Sequence, residues 1–76
     1  MVPIIDTGER IRALRKLRNL NQEQLAELAS LNRVTVAKYE SGRVEPGAQA
    51  LARIADALET TPTAILKAAQ RSEVKS

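Results

Sequence analysis

Residues 21–42, NQEQLAELASLNRVTVAKYESG, constrain the fold more than any other stretch, because two helical patterns sit there with only a few residues between them. Asn21 is a good N-cap residue and Gln24 follows three positions later, the spacing of a capping box. Leu25, Leu28 and Ala29 repeat at i, i+3 and i+4, which predicts an inward face on a helix over about 22–29. Ser30 and Leu31 interrupt that stripe, and Asn32 offers a second N-cap. The next helix is predicted over about 33–41, with Val36 and Tyr39 inward and Arg33, Val34, Thr35 and Lys38 elsewhere around it. Gly42 stands where a helix end favours a left-handed residue. Small Ala26 suits a close crossing of the two helices.

The flanking sequence supplies three further helices. Asp6 and Glu9 form another N-cap pair and open a helix over about Thr7 to Arg18, with Ile11 and Leu14 as its core face. Asn19 can take the left-handed conformation at its end, and Leu20 then turns inward. Arg43-Val44-Glu45-Pro46-Gly47 reads as a loop. A helix over about 48–58 follows, its Leu51, Ile54, Ala55 and Leu58 on one face. Thr60-Thr61-Pro62 reads as an N-cap with proline at the first helical position, and a fifth helix carries Ile65 and Leu66. No segment alternates with period two, so the expected fold class is all-α, five helices in one domain over 7–69. Residues 1–6 are expected to form an N-terminal arm and 70–76 a frayed polar tail. The arm carries no Lys or Arg, which suits packing against the domain or a second subunit.

Composition excludes several function classes. There is no Cys and no His, so disulfides, thiolate or imidazole metal sites and most nucleophilic triads are absent, and no metal or cofactor is expected. Acids and lysines fall at ordinary helix-surface spacing, with no nucleophile–base pair, so an enzyme is not expected. No apolar run approaches the ~18–20 residues of a membrane span. The start MVPII lacks the basic region and length of a signal peptide, and the expected location is the cytoplasm, at the nucleoid. The formal charge is +3. Residues 1–43 hold eight Lys and Arg against five acids, whereas 44–76 hold four of each. This asymmetry fits a polyanion-facing surface in the first half, or ordinary solubilising charge.

Helix, tight turn, helix is an arrangement whose second member can enter the DNA major groove. The residues in register extend well beyond it. They comprise Gly8-x-Arg10-Ile11-x-x-Leu14-Arg15, Leu20-x-Gln22-x-x-Leu25-Ala26-x-x-Ala29 and Val36-x-x-Tyr39-Glu40-x-Gly42. Pro46, Leu51-x-x-Ile54-Ala55-x-Leu58 and Ile65-Leu66 complete the set. Over about residues 7–66 the chain resembles the phage repressor and Cro-like (XRE-like) helix-turn-helix family. That resemblance implies a five-helix repressor-like domain. It implies a sequence-specific DNA-binding transcription regulator, mostly repressive, acting as a homodimer on a palindromic operator in double-stranded DNA.

The resemblance also implies roles for residues. Arg33, Val34 and Lys38 fall where the family reads base edges. Their chemistry suits guanine O6 and N7 (Arg33, Lys38) and a thymine methyl (Val34). Asn21, Gln22, Asn32, Thr35, Ser41 and Arg43 fall where phosphate contacts are expected, which position the protein without specifying sequence. Gln22 is also expected to brace the recognition helix, and for Asn32 and Thr35 capping is an equal reading. Arg15 and Glu40 are expected to form a partly buried structural salt bridge, with a phosphate contact from Arg15 as the competing reading. Arg10 and Arg12 read as a solvated face, and Tyr39 as core rather than a base-stacking residue. The dimer interface is expected on Ala64, Leu66, Ala68 and Ala69, which could alternatively close the monomer core. Ser30 and Glu59 stand where the family commonly has Gly, and Gly47 where a Ser cap is common. Two other binding functions fit the same domain: an antitoxin that binds a protein toxin as well as its operator, and an adaptor without DNA binding. The exposed set Gln22, Arg33, Lys38 and Arg43 argues against the adaptor.

Overall fold

In a computed structural model, residues 6–70 are described, with side chains as far as Leu66. The rest of the arm, the tail from 71, and the side chains of Ala68 and Ala69 lie outside the described residues. Five helices follow one another: α1 (Thr7–Leu17), α2 (Gln22–Leu28), α3 (Arg33–Ser41), α4 (Ala48–Ala57) and α5 (Pro62–Gln70). Among the described residues there is no strand, and the fold is all-α.

Four of the five helices begin where the sequence provides a side-chain acceptor for an orphan amide. The Glu9 N–H donates to the Asp6 carboxylate at 2.8 Å. Asn21 and Gln24 form a reciprocal capping box at 2.7 and 2.8 Å. The Asn32 side chain accepts from the Val34 N–H at 2.7 Å, and Thr61 Oγ1 from the Ala64 N–H at 3.0 Å. Gly47 alone among these caps offers no side-chain acceptor to its helix.

The ends of α1 to α4 share one device. After α2, the Leu31 N–H reaches back to the Ala26 carbonyl (2.7 Å) and the Ser30 N–H to the Glu27 carbonyl (3.2 Å), a Schellman motif. The same pair of bonds ends α1 through Leu20 and Asn19, α3 through Arg43 and Gly42, and α4 through Thr60 and Glu59. The turning residue is left-handed each time: Asn19 at φ 59°, Ser30 at 58°, Gly42 at 82° and Glu59 at 58°.

The core is one cluster, in which Ile11, Leu25, Val36, Ile54, Leu58 and Ile65 are fully buried. In it α2 packs against α3 and α4, and α1 against α3 and α5. Leu14, Leu20, Leu31 and Tyr39 pack on it from its margin. The inward face of α2 differs from the expected one, because Leu28 is 60% exposed while Leu25, Ala26 and Ala29 are buried. Successive helical residues are about 100° apart, so gripping α2 by Leu25, Ala26 and Ala29 turns Leu28 outward. Ala26, small and 3% exposed, lies within the core cluster on this face.

Gly8 seats α1 on the end of α3. A Cβ there would collide with the Tyr39 carbonyl oxygen and stand 2.9 Å from that of Glu40.

Candidate nucleic-acid interface

The first turns of α2 and α3 and the outer side of α3 carry most of the residues singled out in the sequence. Val34, Lys38, Ser41 and Arg43 line one shallow groove of about 310 Å³ along α3, together with Ala37. Arg33 points elsewhere. It lines a separate groove of about 450 Å³ between α2 and α3, with Asn21, Glu23, Gln24, Ala26, Glu27 and Leu31. Arg33 and Val34 are neighbours in sequence but about 100° apart on the helix, which divides them between the two grooves.

The polar side chains retain donors that match their caps. Asn21 and Asn32 spend their side-chain oxygens on helix amides, which leaves each NH2 group facing outward without a protein acceptor among the described contacts. Gln22 is half-buried and donates to Glu40 Oε1 at 3.1 Å. Thr35 is also half-buried. The Ser41 hydroxyl donates to the Lys38 carbonyl at 3.1 Å, so its proton is already engaged.

Charge separates into buried and exposed groups. Arg15 is buried, and its Nε donates to Glu40 Oε2 at 2.6 Å and Nη2 to Glu40 Oε1 at 3.0 Å. Arg15 Nη1 donates to the Leu20 carbonyl at 2.8 Å. One carboxylate thus joins the end of α3 to α1, to the α1–α2 turn through Arg15, and to the start of α2 through Gln22. This bidentate geometry fixes the angle of α3 as well as neutralising the charge. Arg18 pairs with Glu59 at 3.1 Å on the surface. Arg33, Lys38 and Arg43 are exposed and have no ion-pair partner among the described residues. Arg12 is exposed as expected, whereas Arg10 is half-buried, with its Nε shielded and without a hydrogen-bond partner. Arg10 stands one turn before Leu14, on a flank of α1 that the fold partly covers.

Ala64 is exposed and Leu66 is 40% exposed on α5, while Ile65 between them is fully buried. Ala37 is the groove residue that sequence reasoning passed over. Its only signal is its place one turn after Val34, since alanine carries no group that advertises binding. Among the described residues no cluster of acids suits a metal ion, and no helix is long and apolar enough to cross a membrane.

Known proteins share this fold and sequence pattern. The helix-turn-helix family pattern matches residues 11–65. The immunity repressor protein of Bacillus phage phi105 is 44% identical over 59 residues, which are 78% of this chain and 41% of that protein. The P22 c2 repressor protein, solved in complex with a synthetic operator, superposes with a TM-score of 0.78 at 32% identity, covering 83% of this chain and 96% of the solved one. The restriction-modification controller protein C.AhdI from Aeromonas hydrophila gives a TM-score of 0.77 at 33% identity, covering 79% and 91%. The chain spans less than half the length of the curated relatives it matches.

Proposed function

Because the chain belongs to the helix-turn-helix family, in its Cro/C1-type repressor-like branch, we propose that it is a sequence-specific repressor that binds double-stranded DNA through α3. The observation that carries this reading is the division of its cations. Arg15 is neutralised inside the fold, while Arg33, Lys38 and Arg43 stand exposed on and just after α3 without ion-pair partners among the described residues. Arg33, Val34 and Lys38 are the proposed base contacts, since they project from α3 itself. Asn21, Gln22, Asn32, Thr35 and Arg43 are the proposed phosphate contacts, and the free amide protons of Asn21 and Asn32 suit that role. Ser41 joins them only as an acceptor from water or by releasing its bond to Lys38. Glu40 and Gln22 hold α3 at the angle that presents these groups.

One such module touches few base pairs, and a two-fold dimer would address two half-sites about 34 Å apart. We place the proposed dimer surface on α5, where Ala64 and Leu66 are exposed beside the buried Ile65. DNA as partner puts the protein in the cytoplasm, at the nucleoid. Selection of bound sequences from a random duplex library, with sedimentation of the protein alone and on the selected duplex, tests the reading. It predicts enrichment of a palindromic consensus bound by a dimer. Salt-sensitive binding with no enriched sequence would contradict it and favour a protein partner, such as a toxin.

A further inference from the structure

Two charges beside the interface are set against the fields of their own helices. Arg33 opens α3, and the first turn of that helix holds no acid. A helix start carries partial positive charge and disfavours a cation. Glu27 stands in the last turn of α2, where no basic residue accompanies it and the partial charge is negative. Each helix therefore opposes its own residue. The groove of about 450 Å³ between the two helices brings these residues together, and Glu23, one turn before Glu27, lines it as well. Across the groove each charge meets its complement. All three side chains are exposed, and none is within ion-pair distance of another charge among the described residues. The guanidinium is thus drawn towards α2 without being locked to it.

This placement divides what Arg33 can do. A bidentate contact to guanine O6 and N7 uses one edge of the guanidinium and leaves further N–H groups to donate to a carboxylate. A phosphate contact instead brings a phosphate towards the same carboxylates, which repel it. The acids therefore favour Arg33 on a base edge over Arg33 on the backbone. They also narrow the rotamers of a long side chain before DNA arrives, which lowers the entropy lost on binding.

Resting on the DNA-binding reading, we propose that Glu23 and Glu27 are positioning residues for Arg33, which hold its guanidinium for guanine and deny it to phosphate. Their effect lies in discrimination between the operator and other DNA more than in affinity. Negative charge beside a polyanion weakens binding to every sequence, but least where Arg33 finds its base.

The test compares the wild-type chain with Glu23→Gln/Glu27→Gln on the selected duplex and on a random duplex over a range of salt concentrations. Both acids are exposed and glutamine has a similar helix propensity, so the variant should fold, which its urea midpoint checks. Its affinity for the random duplex should rise, with a salt slope steeper by up to about 1 as Arg33 takes a phosphate. Its preference for the selected duplex should fall by up to about fivefold, the worth of an exposed charge pair. Glu27→Gln alone should show the same changes in smaller measure. In an Arg33→Ala background the two substitutions should leave the preference unchanged. A preference that survives Glu23→Gln/Glu27→Gln overturns the positioning role and leaves DNA binding standing. A fall of equal size in the Arg33→Ala background overturns it too, because the acids then act on DNA without Arg33. Absence of any consensus overturns both.

Discussion

Glu40 is the residue on which the presentation of α3 depends. It is 8% exposed and accepts from Arg15 twice and from Gln22 once. Replacing it with alanine leaves the Arg15 guanidinium buried and uncompensated, which for such pairs costs about 3–5 kcal/mol. Glu40→Ala should therefore lower the urea midpoint sharply and weaken DNA binding, and an unchanged midpoint would refute the structural role. Gly8 has a separate constraint. No Cβ fits between α1 and the carbonyl oxygens of Tyr39 and Glu40, so Gly8→Ala must push α1 away from α3. Overpacking of this kind costs about 1–3 kcal/mol. A thermal unfolding midpoint equal to that of the wild type would mean that α1 does not lie where the structure has it. The sequence marks Gly8 only through its family register. The Arg15–Glu40 contact spans 25 residues, so no local periodicity could couple the two, and only the resemblance brought them together.

At the scale of elements, four helices end in the same Schellman geometry, yet only the one closed by Gly42 uses glycine. Ser30 and Glu59 hold left-handed conformations that cost a non-glycine residue roughly 1 kcal/mol each. Ser30→Gly should raise stability by up to about 1 kcal/mol, offset in part by the greater freedom glycine has in the unfolded chain. Glu59→Gly should gain less, since it also loses the exposed pair with Arg18. Guanidinium unfolding of both variants checks this, and a loss of stability in Ser30→Gly would contradict it. Helix starts were readable because Asp6, Asn21, Asn32 and Thr61 carry their acceptors in plain view. The inward face of α2 was not, because Leu25, Leu28 and Ala29 satisfy helical spacing just as well as Leu25, Ala26 and Ala29. Which stripe is buried depends on the approach of α3 and α4, and that is a tertiary fact.

At the scale of the whole molecule, the core side chains of five short helices meet in one cluster, and the balance of charge lies with the half that contains α1 to α3. Most of the proposed interface could be found by counting from the Asn32 cap, which sets Arg33, Val34 and Lys38 in register. Two features could not. Arg33 and Val34 open onto different grooves, and Ala37 joins Val34, because side-chain direction around α3 only acquires meaning once α2 is packed beside it. Arg33 as the proposed reader of sequence and Arg43 as the proposed backbone contact differ in a way that one titration series separates. Arg33→Ala and Arg43→Ala would each be titrated against the selected duplex and a random duplex over a range of salt concentrations. Arg33→Ala is predicted to lose about 1–3 kcal/mol, roughly 5- to 150-fold, on the selected duplex and far less on the random one. Arg43→Ala is predicted to weaken both alike and to reduce the salt slope by about 1. Losses from Arg33→Ala that are equal on the two duplexes would contradict the claim that α3 reads bases from its first turn.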